Sequence, residues 1–499
     1  MKQRPVSCCL LSVCALLLVA SAAAQTLPQD VAKFVETPAV PGYEQALAAE
    51  IRTRVPPSLG RPQTDNLGNL YITLGSGSPH RLIVAPMDEP GYVVSGITAD
   101  GYLRVQRLPQ QSPHPLFDLL HTAQPVVVHT RRGKWVPGVF AGLSTHLQPN
   151  RQNAPRGAHP DEIYVDIGAS SAAEVAEAGV ALLDPVALDR KLYPMGFDKL
   201  TGPSVGDRFG CAALVELLRR IEPAKLRGTL TVAFVAQQWA SSRGLDRLTQ
   251  HIKADETLYV GRMLARRTGP GGRAEAQAEP RVPAVPPGRG VLIGAADREA
   301  APAGLEQEIK RLAEENKIPV TVDYSAPLPR VSYTQGPVLP QRFVHLGIAT
   351  AWPLTPAELV DANDLQNLVN LLEVYAQRSS RGRAAWPAST LSPALPERPQ
   401  TAPAPAEILK ILVETYGASG HEEAVRKAIT ALLPPWARTE TDAAGNLILH
   451  LGATRMDARK GPQGLRIAFV AHMDEIGYRV RSITEDGPSG CADAGRQHP

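Results

Sequence analysis

Residues 471–480 read AHMDEIGYRV and residues 85–94 read APMDEPGYVV, agreeing at seven of ten positions. The later stretch carries an imidazole, His472, two residues before Asp474. Imidazole and carboxylate are the donors a divalent ion needs where thiols are scarce. Here they are scarce: Cys8, Cys9 and Cys14 sit near the start, Cys211 and Cys491 stand far apart, and no CxxC pair occurs. Other hydrolytic chemistries leave no mark, since there is no GxSxG and no Ser-His-Asp spacing. The earlier stretch has Pro86 where the later one has His472, and a proline side chain offers a metal nothing.

The elements around the two stretches are duplicated as well. TPAVPGYEQALAAEIRTRV at 37–55 parallels TYGASGHEEAVRKAITALL at 415–433, and TDNLGNLYI at 64–72 parallels TDAAGNLIL at 441–449. The offset is 377 or 378 in these segments and 386 at Met-Asp-Glu, so one loop of the second copy is about nine residues longer. Each copy reads as a Gly turn, an amphipathic helix (Ala46, Leu47, Ile51 and Val55 in the first), an Asp/Gly/Asn turn and a short strand. A buried strand, RLIVAPMD or LRIAFVAHMD, then carries the motif at its carboxyl end, where open α/β sheets place their ligands.

Downstream of the first motif, GYLRVQRL, PVVVHT, KWVPGVFAG and DEIYVDIG read as short strands of a β-rich insert from about 99 to 195. Helix and strand patterns then alternate. GCAALVELLRRI, GLEQEIKRLAEEN and DANDLQNLVNLLEVYAQ are helical, the last capped by Asp361 or Asn363. GTLTVAFVAQ and RFVHLGIAT are strands. The class is α/β: a mixed, mostly parallel sheet with flanking helices and an inserted small β-barrel-like subdomain. Residues 269–289 are rich in Gly and Pro and read as a surface loop, and 379–405 as a Pro/Ala-rich linker.

The chain has 499 residues, enough for two or more domains, with 43% hydrophobic and 20% charged residues and a net charge of +3. That charge is too small to suggest a nucleic-acid partner or a membrane surface. Lys2 and Arg4, an apolar run from Cys8 to Val19, and ASAAAQ read as a signal peptide over 1–24, cleaved near Ala24–Gln25. The apolar run is short for a membrane span. The expected setting is therefore exported, periplasmic or extracellular, with no stable span after cleavage.

In this order and spacing, PGYE and SGHEE, DNLGNL and AAGNL, AHMDEIG, DIGASSAAEVAEAGVALLDPVALDR, VGDRFGCAALVELL, AQQWASSRG and GIATAWPLTPAELVDANDL resemble the glutamyl and tetrahedral aminopeptidases, a family of dinuclear metallopeptidases. The resemblance covers 28–378 as one copy and 406–487 as the start of a second. Residues 488–499 match nothing, and the expectation is a second copy cut short. The family implies a zinc-exopeptidase-like core with an inserted barrel, two divalent ions (Zn, Co or Mn), peptide substrates and homo-oligomers. The ions would lower the pKa of a bridging water while a Glu takes its proton.

Carried over residue by residue, the family's ligands fall in the first copy on Pro86, Gly206, Trp239, Gly261 and Leu354, and its base on Gln238. None of these can do the work, so the first copy is expected to bind no metal pair. Trp239 is read as an apolar plug in the old metal cavity. Asp88 survives, as a turn-stabilising residue. His114, His121, His129, His146 and His345 are read as loop or core residues. In the second copy His472 falls on a metal position, and Asp474 on that of the carboxylate that orients it; these are the two site residues carried over. The implied function is an exported aminopeptidase-family protein with an inactive first copy. The alternative is a non-catalytic subunit that binds peptides or assembles with active ones.

Overall fold

The computed structural model describes residues 27–109, 117–142, 163–240, 242–263, 286–294, 304–323, 342–377, 404–418, 420–442, 445–451, 469–475, 478–483 and 489–493. The chain divides into two units, 1–389 and 390–499.

The first unit is built on an eight-stranded sheet. Its middle is four parallel strands in the order β12 (Gly228–Val235), β3 (His80–Pro86), β13 (Glu256–Val260) and β16 (Arg342–Ile348). One edge is completed by β2 (Leu70–Ser76), antiparallel to β12, and β1 (Gln63–Thr64). The other edge is β14 (Val291–Gly294), antiparallel to β16, followed by β15 (Val320–Asp323). The sheet is mixed and mostly parallel, as the apolar runs predict.

The central strands are buried on both faces because their alternate residues meet different helices. Ile83 and Ala85 of β3 share a core with helices Leu27–Val35, Val205–Arg220, Gly304–Glu315 and Ala362–Gln377. Leu82 and Val84 face Leu245 and Leu248 of helix Arg243–His251. Each such aliphatic side chain taken out of water stabilises the unit by about 1.5–3 kcal/mol. Of the two caps offered for the last helix, Asp361 is the one used: its Oδ1 accepts from the N–H of Asn363 at 2.7 Å and of Asp364 at 3.1 Å.

A closed barrel is inserted after β3. Its strands are β4 (Gly91–Ile97), β5 (Leu103–Leu108), β6 (Pro125–His129), β7 (Trp135–Ala141), β8 (Tyr164–Asp166) and β9 (Pro185–Leu188). It begins at Gly91 and ends at Leu188, earlier at both ends than the expected 99–195. GYVVSGI continues the apolar run of β3, so sequence pattern alone does not separate them; yet Gly91–Ile97 leaves the sheet to pair with β5 and β9. A small sheet, β10 (Tyr193–Met195), β11 (Lys199–Gly202) and β17 (Glu358–Asp361), follows the barrel.

The second unit holds helices Pro405–Val413 and Glu423–Leu432, a hairpin of Thr439–Thr441 with Leu447–Leu449, and a pair Tyr478–Ile483 with Ser489–Asp493. That last strand falls in the stretch expected to match nothing. Several hydrogen bonds recur at matched places in the two units. Asn69 Nδ2 donates to Asp65 Oδ2 at 2.7 Å, and Asn446 Nδ2 to Asp442 Oδ2 at 2.8 Å. Gly42 N–H donates to Glu44 Oε1 at 2.9 Å, and Gly420 N–H to Glu422 Oε1 at 2.6 Å. Ala39 N–H donates to Glu89 Oε1 at 3.0 Å, and Gly417 N–H to Glu475 Oε1 at 3.2 Å. The signal region 1–24, the linker up to residue 403, and residues 269–285 lie outside the described residues, as do His114 and His146. Among the described residues no helix is long and apolar enough to cross a membrane.

Candidate functional site

The carboxyl ends of β3, β12 and β13 lie side by side: Val235 is in register with Pro86, and Tyr259 with Val84. The chain leaves them as Met87-Asp88-Glu89, Gln237-Gln238-Trp239 and Gly261-Arg262. Helix Val205–Arg220 starts against the same place, since Cys211 Sγ donates to the Pro86 carbonyl at 3.1 Å. The sequence-assigned positions Pro86, Gly206, Gln238, Trp239, Gly261 and Leu354 therefore converge on one strand-end site.

Asp88 is fully buried, and its two oxygens accept the N–H groups of Gln238 and Trp239, both at 2.8 Å. Glu44 Oε1 accepts the N–H of Gln237 at 2.8 Å, and Gln237 holds a left-handed φ of 54°. Two carboxylates thus hold three successive residues of one turn, replacing the sheet partners that those N–H groups lack. Burial, and then the nearby Glu44 charge, push the Asp88 carboxyl well above its usual range. The survival of Asp88 is accounted for by the turn. The Gln238 side chain turns to Ser242, with Nε2 donating to Oγ at 2.7 Å.

Beside this turn, Arg262 bridges two carboxylates. Its Nε and Nη2 donate to Asp207 at 3.1 and 2.7 Å. Its Nη1 donates to Glu358 Oε1, and Nη2 reaches Glu358 Oε2 at 3.0 Å. The Arg262 side chain is only 6% exposed. Burial alone would lower its pKa, but Asp207 and Glu358 outweigh that and raise it, so the guanidinium is a permanent cation. Glu358 also accepts the N–H of Gly206 at 2.8 Å and of Leu354 at 2.6 Å. The expected apolar plug at Trp239 gives way to this arrangement. Trp239 is half-buried, and its indole N–H donates to Asp207 at 3.2 Å.

The next residue along, Glu89, anchors a second ionic group. It is fully buried and pairs with Arg190 and Arg208, the latter at 2.9 Å. Arg208 also donates to the carbonyls of Phe34 and Met87. Burial would raise the Glu89 pKa; the two guanidiniums overcome that and lower it. Glu89 and Arg190 stand where the chain enters and leaves the barrel. A narrow crevice of about 20 Å³ lies between barrel and strand ends, lined by Tyr92, Phe117, His121, Ser204, Arg262 and Leu354 among others.

His121 is buried, its Nδ1 2.6 Å from the Phe117 carbonyl, and burial brings its pKa down to about 4. His345 is buried against Tyr259, likewise with a pKa of about 4. His129 stacks on Trp135. In the second unit His472 is 87% exposed, and its Nδ1 lies 2.9 Å from the Asp474 carbonyl and 3.4 Å from Asp474 Oδ1. Among the described residues no group of three or more His, Cys, Asp or Glu is arranged to hold a metal ion.

The strand-end residues do not fit a pair of divalent ions. A Cβ on Gly206 would lie 3.0 Å from both Arg262 Cζ and Glu358 Oε2, so a carboxylate there would crowd both side chains where they now lie. A Cβ on Gly261 would meet the Tyr259 ring at 2.8 Å. The carboxylates that are present already serve Arg262 or the turn, and a buried cation next to a divalent ion is repulsive.

A family model described as M42 glutamyl aminopeptidase matches residues 68–371. A glutamyl aminopeptidase of Lactococcus lactis subsp. cremoris (strain MG1363) is 29% identical over 215 residues, 42% of this chain and 59% of that protein. A lysyl aminopeptidase of Pyrococcus furiosus is 25% identical over 356 residues, covering 69% of this chain and 95% of that protein. The chain spans about three fifths of the length of the first curated relatives it matches. A TET aminopeptidase from Thaumarchaeota archaeon SCGC AB-539-E09, a marine sediment archaeon, superposes with a TM-score of 0.60 at 22% identity, covering 71% of this chain and 96% of that one. The TET1 peptidase of Pyrococcus horikoshii, described as assembling into a tetrahedron or a large octahedral shell, gives 0.60 at 24%, covering 70% and 99%. At such identity the likeness is one of fold.

Proposed function

The chain belongs to the M42 glutamyl aminopeptidase family, and from that premise we propose that residues 28–378 keep the family fold without metal-dependent hydrolysis, as a non-catalytic subunit that holds peptides. One observation carries this reading. The buried Arg262 guanidinium, with Asp207 and Glu358, stands at the strand ends to which the family's ligand positions map. Amide hydrolysis by this route needs an activated water and a base. Pro86, Gly206, Gly261 and Leu354 supply no ligand, Gln238 accepts no proton, and Trp239 offers only a donor. The peptide-holding part of the proposal rests on membership of a peptidase family, since the crevice of about 20 Å³ between barrel and strand ends is of water size.

The test uses the purified full chain with added zinc, cobalt or manganese and a panel of aminoacyl arylamides. No turnover above the metal alone is expected, while peptides quench or shift tryptophan fluorescence saturably. Two equivalents of metal bound together with arylamide hydrolysis would overturn the reading. We further read the first 24 residues as an export signal. N-terminal sequencing of protein recovered from outside the cytoplasm is expected to begin at Gln25; a retained Met1 would count against export. The recurring Asp-Asn and Gly-Glu hydrogen bonds support reading the second unit as a duplicated start of the same fold.

A further inference from the structure

Resting on the reading that the strand ends bind no metal pair, we propose that Arg262 is the chain's own structural cation, a tethered guanidinium that joins the parts of the fold a metal pair would otherwise join. The three groups it links come from elements distant in sequence: 55 residues separate Arg262 from Asp207, and 96 separate it from Glu358. Asp207 lies in the first turn of helix Val205–Arg220, Arg262 follows β13, and Glu358 opens β17. Both carboxylates receive two contacts each from the one planar group, the forked geometry that a guanidinium provides and an ammonium does not.

The link extends through Glu358 to the backbone. Its oxygens also accept the N–H of Gly206 and of Leu354. Both are positions where the family's metal ligands fall, and Leu354 has a left-handed φ of 64°. The helix start and the 351–357 loop are therefore held through the carboxylate that Arg262 neutralises. Space agrees with charge. A Cβ at Gly206 would lie 3.0 Å from the guanidinium carbon, so a carboxylate at that position would crowd Arg262 where it now lies.

Removing the side chain leaves a buried space of guanidinium shape with Asp207 and Glu358 on its walls, and free guanidinium should enter it. The test measures thermal unfolding of the full chain. Arg262→Ala is expected to lower Tm by several degrees. Millimolar guanidinium chloride should raise the variant's Tm saturably and leave wild type unchanged, and sodium chloride at equal ionic strength should not substitute. Arg262→Met, which fills the space without charge, should show the fall without the recovery. An unchanged Tm in Arg262→Ala, recovery with either salt alike, or recovery in Arg262→Met would overturn the proposal. If Arg262→Ala does not fold, Arg262→Lys carries the test. A single ammonium cannot make both forked contacts, so its Tm must fall below wild type, and an equal Tm overturns the proposal. Dialysis of wild type against a chelator should leave Tm unchanged; a drop overturns it. Metal-dependent arylamide hydrolysis by wild type would instead defeat the reading beneath it, so the two failures are distinguishable.

Discussion

Glu89→Ala will cost the first unit about 3–5 kcal/mol, because it leaves two buried guanidiniums without the carboxylate that pairs them. Arg190 and Arg208 converge on Glu89 from the barrel exit and from helix Val205–Arg220, and all three side chains are nearly or fully buried. The Ala39 N–H loses its acceptor as well. Against a typical domain stability of about 5–15 kcal/mol, that loss approaches the margin for folding. The pH dependence follows from the lowered pKa of Glu89. Its folded pKa lies below the unfolded value, so the folded state binds the proton less readily. The stabilisation is therefore complete above the unfolded pKa and is lost as pH falls through the folded one. Urea unfolding of wild type between pH 7 and pH 3 should show this acid limb, and Glu89→Gln should flatten it. A Glu89→Ala midpoint equal to wild type at neutral pH would show that the arginines find other partners.

Asp88→Ala should be the second most costly change, about 2–4 kcal/mol, since two buried backbone donors lose their acceptor at once. It should also free the turn Gln237–Trp239, read as a change in tryptophan emission, because Asp88 holds two of those three N–H groups. Here the pH sign is opposite to that of Glu89. The folded pKa of Asp88 is raised, so the folded state holds the proton more tightly than the unfolded chain. Its pH-dependent contribution is full below the unfolded pKa and is lost as pH rises through the folded one. Adjacent carboxylates thus pull stability in opposite directions with pH, one facing two cations and the other facing N–H groups and Glu44. A pH–stability curve for Asp88→Ala that keeps the wild-type loss on raising the pH would contradict this assignment.

The sheet and the strand ends were legible because they rest on local pattern. RLIVAPMD is apolar from Leu82 to Met87 and GTLTVAFVAQ from Val232 to Ala236, as strands buried on both faces must be, and the chemistry-bearing residues follow their carboxyl ends. That Pro86, Gly206 and Leu354 offer a metal no donor was legible residue by residue. What fills their place was not. Arg262 follows a buried strand with no periodicity to mark it, and its partners Asp207 and Glu358 meet it only through the tertiary fold. The one available signal was an arginine directly after ETLYVG, just past the carboxyl end of a central strand, where an unpaired charge has no cause to be. Trp239 misled for a related reason. An indole in a sequence reads as apolar mass, whereas its N–H decides where it points once a carboxylate is within reach. The barrel boundary was blurred because Tyr92, Val93 and Val94 are as apolar as β3, and nothing local says that the chain has changed sheets.

The ion pair between Glu89 and Arg190 sits at the barrel's neck, and beyond it Tyr92 already pairs with Val186. The two ends of the insert therefore meet. An insertion whose ends meet asks little of its host: the entropy of closing a loop grows only with the logarithm of its length, by about 0.6 kcal/mol per doubling. The core around it need not change to accept a larger, smaller or wholly different module between residues 90 and 189. In evolutionary terms the neck is a socket, and the barrel is a replaceable cassette plugged into it.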